Sequence, residues 1–300
     1  MTPATPPLGL LLDVDGPIAS PVTRTIAIPS IARDLAELAN LGIPIAFNTG
    51  RSDAFLREQV IPPLREAGLD EGVRLWGICE KGAVWMRITA DGAGAVHVDD
   101  DLRMPEAFDR EMERLVREEF ADIVFYDDTK RAMVSLEQLT DIPNETFRAA
   151  QPALDDAIAA VLRRLDLGYE REEERVPDSR GRIRYRIDPT IISTDVESNR
   201  TGKDLGARLM LSFLDGEGIP RPRSWRTMGD SRTDYAMSDW LHENGHDVVH
   251  VDVRPGDGIP PTPYPVRHHS TLVHDDAGAL WLRRWAEIAR GEAEDDADLG

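Results

Sequence analysis

Two pairs of aspartates stand where charge is costly. Asp13 and Asp15 close the run LGLLLDVDG, directly behind three consecutive leucines, and Asp230 and Asp234 lie in MGDSRTDYAM behind a second apolar run. Strands apolar enough to be buried on both faces would carry each pair into the protein rather than away from it. Carboxylates gathered at such strand ends repel one another unless something neutralises them. Oxygen-only ligands of this kind suit a hard divalent cation, Mg2+ in particular, which keeps several waters and completes its shell on a substrate phosphate. Two further segments offer what a phosphate needs. In NTGRS the Thr49 hydroxyl and the backbone N–H groups around Gly50 can face an oxyanion, with Arg51 beside them. Lys203, in NRTGKDLG, opens a helical segment, where its ammonium and the helix N-terminus both address negative charge. Taken singly, each has a plain structural reading as a turn former, a helix cap or a surface lysine.

These residues act together only if strands deliver them to one rim. SIARDLAELANLG spaces Ile31, Leu35, Leu38 and Leu41 at helical intervals and stops at Gly42, and IPIAFNTG supplies the next buried strand, which predicts a βαβ opening. DAFLREQVIPPLREAG reads as a helix broken at Pro62 and Pro63, and VRLWGICEKGAVWM as a strand running into a hairpin. From residue 82 the character changes: long charged helices alternate with paired strand-like runs such as RAMVSLE and GRIRYRID. That order predicts a separate α+β unit over 82–194, inserted into the first. The alternation resumes with KDLGARLMLSFLDGEG, SWRTMGDS, DVVHVDV and AGALWLRRWAEIAR. The expected fold class is α/β, a Rossmann-like parallel-sheet core formed by 8–81 and 195–290 around an α+β cap. Residues 1–7 and the acidic, apolar-poor stretch 291–300 are expected to be disordered tails. In an open α/β sheet ligands bind outside the carboxyl ends of the strands, which is where both aspartate pairs fall.

Composition narrows the partners. Thirty-five basic residues against 55 acidic ones leave a formal charge of −20, which argues against nucleic acid as a partner. A lone cysteine, Cys79, excludes an internal disulfide and a cysteine-rich zinc site. No apolar run approaches a membrane span, and MTPATPPLG lacks the features of a secretory signal, so a cytoplasmic protein is expected. His242, His246 and His250 are evenly spaced, but the strand expected across DVVHVDV breaks the single helical face that zinc would need.

The ordered set DVDGP, NTGR, a lysine opening a late helix, and GDSRTD resembles the four motifs of the haloacid dehalogenase superfamily. The place of the insertion resembles members with a large α/β cap of the Cof type, a group that includes sucrose-phosphate, mannosyl-phosphoglycerate and trehalose-phosphate phosphatases. The resemblance implies that Asp13 attacks phosphorus to form an aspartyl-phosphate, and that Asp15 protonates the leaving alcohol and then activates water. It implies that Thr49, Gly50 and Lys203 hold the phosphoryl oxygens, and that Mg2+ lies among Asp13, the backbone carbonyl of Asp15, Asp230 and Asp234. The implied activity is hydrolysis of a small phosphate ester, a sugar or glycosyl phosphate, under a cap that closes over the core.

The sequence also departs from the pattern. Pro17 stands where threonine is common, and Lys81, in CEKGA, where many relatives carry asparagine; it is read either as a contact to an anionic substrate or as a solvated hinge residue. Arg182, Arg184 and Arg186 recur at period two in GRIRYRID, as forks for a second anionic group or as an exposed strand face paired with the EREEER segment. Asn199 and Arg200 precede Lys203 and are further candidates for substrate contact. Two rivals stay open: a phosphosugar mutase of the phosphomannomutase type, and a non-catalytic protein that binds sugar phosphate. The proline-rich loop 254–265 has no assigned role, and the oligomeric state is not readable.

Overall fold

The computed structural model describes residues 5–299, so the expectations for residues 1–4 and 300 lie outside the described residues. The chain forms two compact units, Met1–His97 with Gly202–Gly300, and Val98–Thr201. The first unit opens with β1 (Leu8–Leu12), α1 (Pro29–Asn40) and β2 (Ile45–Asn48). Two short helices follow, α2 (Asp53–Phe55) and α3 (Ile61–Glu66), then β3 (Leu75–Cys79), β4 (Val84–Thr89) and β5 (Gly92–Val98). Between α2 and α3 the helix widens to π geometry over Leu56–Val60, just ahead of Pro62 and Pro63, whose rings carry no N–H to continue the α ladder.

In the second unit, α4 (Glu106–Leu115), β6 (Val124–Tyr126), β7 (Val134–Gln138) and α5 (Asn144–Arg164) precede four strands. These are β8 (Tyr169–Arg171), β9 (Glu174–Val176), β10 (Tyr185–Pro189) and β11 (Ser193–Ser198), and they complete a six-stranded sheet of order β6-β7-β11-β10-β8-β9. Phe108 and Met112 of α4 and Phe147, Leu154, Ile158 and Leu162 of α5 share one buried cluster with Val134, Tyr169, Ile187 and Val196 of the sheet. Mixed pairing and segregated helices make this an α+β unit.

The chain then returns to the first unit as α6 (Lys203–Gly216), β12 (Ser224–Gly229), α7 (Tyr235–Glu243), β13 (Val248–Asp252), β14 (Val266–Arg267) and α8 (His274–Arg290). Its sheet runs β14-β13-β12-β1-β2-β3-β4-β5, parallel from β14 to β3. The first three strands build outward from β1 on one side and β12 to β14 on the other. The topology therefore switches direction at β1, and in open α/β sheets ligands bind outside the carboxyl ends of the strands at such a switch, here β1 and β12.

Three expectations are corrected. The insertion does not begin at 82, because β4 pairs antiparallel with β3 and extends the core sheet, with β5 beyond it. Nor does it end at 194, because β11 runs to Ser198 between β7 and β10. The stretch after α8 is not a loose tail: Asp296 is buried, ion-paired with Arg226, and accepts a hydrogen bond from Trp285 Nε1 at 2.9 Å. Pro6 near the other end is buried and accepts a hydrogen bond from Arg223 N. The proline-rich loop also has a place, since it delivers buried Tyr264, whose hydroxyl donates to Asp239 at 2.6 Å, and leads into β14.

Candidate active site

Register brings the site together. Leu12 of β1 pairs with Met228 of β12 and with Phe47 of β2, so Asp13, Gly229 and Asn48 follow as the next row, at the carboxyl ends of three adjacent strands. Asp13 is 7% exposed and its backbone N–H donates to the Met228 carbonyl, which fixes the turn out of β1. Lys203 is the first residue of α6 and is likewise 7% exposed. Its Nζ lies 2.6 Å from Asp13 Oδ1, 2.7 Å from Asp234 Oδ1 and 2.7 Å from the Asn48 carbonyl. One ammonium thus ties together the ends of β1 and β2 and the turn after β12.

Asp234 is held from several sides. Its Oδ2 accepts from the Ser231 hydroxyl at 2.8 Å and from the backbone N–H groups of Ser231 and Asp230 at 2.9 and 3.1 Å. A side chain at Gly229 would strike Asp234, a Cβ there falling 2.2 Å from the Asp234 Cβ, so the strand can end this close to the carboxylate only as glycine. Gly206 plays the same part in α6, where a Cβ would fall 2.1 Å from Asn48 Oδ1. The Asn48 amide uses that space to donate to the Lys203 carbonyl at 2.8 Å.

Asp13, Asp230 and Asp234 each offer one oxygen, and the three oxygens lie within 4.8 Å of one another. Against three carboxylates stands the single ammonium of Lys203. Burial pushes the Asp13 carboxyl well above its ordinary range, helped by Asp234 and Asp15 and opposed by Lys203. Burial and the neighbouring Asp234 push Asp230 up to about 6. Burial acts the same way on Asp234, but the charge and hydrogen bond of Lys203 reverse it, so that this carboxyl falls below its ordinary value. The same carboxylates raise Lys203 despite its burial. With all three acids ionised the cluster keeps two negative charges in excess, and an oxygen donor set of that charge fits a divalent cation.

The Asp15 side chain lies outside the three-carboxylate cluster and makes a bidentate pair with Arg51, Nε to Oδ2 and Nη2 to Oδ1 both at 2.9 Å. Thr49 is fully buried, and its hydroxyl accepts from the Arg51 backbone N–H. Lys81 is half-buried in left-handed backbone, hydrogen-bonded through its N–H to the Thr49 carbonyl, and its side chain passes over Gly50.

In the inserted unit the arginine series is not one strand face. Only Arg186 lies on a strand, where it is tied to buried Glu197 at 2.6 Å, and Arg182 pairs with Asp178 at 2.7 Å. Arg184 and Arg200 instead line a cavity of about 160 Å³ with Asp101, Tyr185, Ser198 and Asn199. Sequence reasoning did not single out Asn48, Ser231 or His274. A polar residue closing an apolar strand was the available signal for Asn48; His274 carried none.

Comparison with known proteins rests on fold alone. No protein-family model matches the sequence, and no curated protein matches it. Among solved structures, the C-terminal domain of a Candida albicans trehalose-6-phosphate phosphatase is similar at 13% identity and a TM-score of 0.61, over 96% of this chain and 94% of that one. BT1666 of Bacteroides thetaiotaomicron, described among phosphatases of the HAD superfamily, is similar at 19% identity and 0.52, over 96% of both chains. The C-terminal domain of a Candida albicans trehalose synthase regulatory protein is similar at 12% identity and 0.56, over 88% and 91%. The chain therefore has the fold of the HAD phosphatases, as the four motifs led one to expect. Among the described residues, no helix is long and apolar enough to cross a membrane.

Proposed function

We propose that this chain is a metal-dependent phosphomonoesterase acting through an aspartyl-phosphate on a small phosphorylated metabolite, a sugar or glycosyl phosphate. The observation that carries the reading is Lys203, set among Asp13, Asp234 and the Asn48 carbonyl, with Asp230 completing a three-carboxylate group at the switch point of the sheet. The fold alone would not suffice, since it is shared by a domain named as a phosphatase and by one named for a regulatory protein.

In this reading Asp13 attacks phosphorus through its second oxygen, Oδ1 being held by Lys203; an O–P bond forms as the bond to the leaving alcohol breaks. Asp15 gives its proton to that alcohol and then takes one from the water that hydrolyses the acyl phosphate. Arg51 holds Asp15 in place between the two steps and must yield for the proton to be delivered. Lys203, the Thr49 hydroxyl and the N–H groups near Gly50 address the phosphoryl oxygens. Asp13 and Asp230, with Asp234 oriented behind them, would hold Mg2+, which when bound offsets the charge of the phosphoryl group. Asp13 needs that neutralisation to act as a nucleophile, because burial raises its pKa. The sugar class is supported by the trehalose-6-phosphate phosphatase domain, whose likeness extends over 96% of this chain.

The test is phosphate release from a panel of sugar phosphates, with Mg2+ and with EDTA, for wild type and Asp13→Asn. Release that needs the metal and falls to background in the variant is expected. Transfer dependent on a bisphosphate primer would replace the reading by a mutase, and stabilisation by a sugar phosphate without turnover by a binding protein.

A further inference from the structure

The three carboxylates of the cluster are not equally supported. Lys203 holds Asp13, and Lys203, Ser231 and two backbone N–H groups hold Asp234. Among the described residues the Asp230 carboxylate accepts no hydrogen bond, and its one ionisable partner within ion-pair distance is His274, whose Nδ1 lies 3.8 Å from Oδ2. That Nδ1 is itself buried and has no hydrogen-bond partner. Carboxylates that ligate metals are normally held in turn by a donor that fixes their orientation, and losing it costs 10- to 100-fold in metal affinity.

The backbone supplies an independent observation. His274 opens α8 with φ of 51°, in the left-handed region that costs a side-chain-bearing residue energy and that glycine enters freely. Its N–H donates to the Val253 carbonyl at 2.8 Å, so the turn is fixed by main chain that any residue supplies. An imidazole kept at a position better suited to glycine, with an unpartnered nitrogen facing an unsupported carboxylate, has a reason to be there.

We propose that His274 is the positioning residue for Asp230: its Nδ1–H hydrogen-bonds Oδ2 and holds the other carboxylate oxygen toward Asp13 and Asp234, where a divalent cation would bind. A closure of about 1 Å brings the pair to charge-assisted hydrogen-bond length. The proposal rests on the metal-site reading above but adds to it a residue that no motif contains.

The test is direct binding of Mn2+ to the full chain, by calorimetry and by the electron paramagnetic resonance signal of the free ion, for wild type, His274→Gly, His274→Asn and Asp230→Asn. His274→Gly relieves the backbone and removes the donor, so its unfolding midpoint in EDTA should equal or exceed that of wild type while Mn2+ binds about 10-fold more weakly or worse. His274→Asn tolerates left-handed backbone and keeps an N–H near the position of Nδ1, and should stay within about 3-fold of wild type. Unchanged Mn2+ affinity in His274→Gly would overturn the role of His274 and leave the metal site standing. No Mn2+ binding by wild type, or full binding by Asp230→Asn, would overturn the metal-site reading and this inference with it.

Discussion

Asp230 should cost the metal-free protein stability, and the cost can be measured. Its carboxyl is raised from 3.8 to about 6 by burial and by Asp234. A shift of about two pKa units corresponds to about 3 kcal/mol; with 19% of the side chain exposed, solvent screening brings the expectation to about 2 kcal/mol. The sign follows from proton uptake. Between the unfolded value near 4 and the folded value of about 6, the native state binds more protons than the unfolded one, so stability falls as pH rises through that window and the cost is complete above it. Asparagine has the shape of the protonated acid and no charge. Asp230→Asn should therefore be more stable than wild type by about 2 kcal/mol in EDTA at pH 8, with the difference fading toward pH 4. Added Mg2+ should reverse the order, since a ligand at a hundred times its Kd adds about 2.7 kcal/mol to a chain that binds it, and the variant should not share that gain. Urea unfolding at the two pH values, with EDTA and with Mg2+, gives all the numbers. A variant less stable than wild type in EDTA at pH 8 would show that Asp230 serves the fold, and the reasoning would be wrong.

Two further outcomes are expected. Gly206→Ala places a methyl against the Asn48 amide and so disturbs the carbonyl that holds Lys203; it should destabilise by about 2 kcal/mol and lower phosphate release by at least about 10-fold, whereas Gly216→Ala, with open space around the same helix's end, should do neither. Asp296→Ala leaves the Arg226 guanidinium buried without its carboxylate and Trp285 Nε1 without its acceptor, and urea unfolding should show a loss of about 3 kcal/mol, while an ordinary acidic tail residue such as Glu294 should show none.

What could be read from the sequence, and what could not, divides along a physical line. Buried parallel strands are continuous apolar runs, so LGLLL and IAFN stood out, and a carboxylate directly behind such a run is conspicuous. Asp13 and Asp230 converge because β1 and β12 end side by side, with β1 lying between β2 and β12, while Lys203, opening α6, reaches Asp13, Asp234 and the end of β2 from outside the sheet. The insertion was legible as a change of pattern but not at its edges, because β4 and β11 are amphipathic or polar strands whose membership depends on which neighbour they pair with. The pairing of Asp15 with Arg51 was hidden because the two lie on different loops and meet only after the sheet assembles. Asp296 was hidden more completely: in an apolar-poor stretch of acids, nothing in one dimension distinguishes the one that meets a buried arginine.

The arrangement at the rim argues for chemistry more strongly than the likeness of fold does. A chain selected only to fold would gain by replacing Asp230 with a neutral residue, and would have no use for a lysine held between Asp13 and Asp234 when an apolar pair of the same volume can be as stable. Local violations of what folding prefers gather at sites that do work. Here buried Asp13 with its raised pKa, Asp230 with one imidazole near it, and His274 in left-handed backbone all lie around the same carboxyl-end rim of the sheet. The fold explains none of the three by itself; a phosphoryl group and a divalent cation brought to that rim would explain them together.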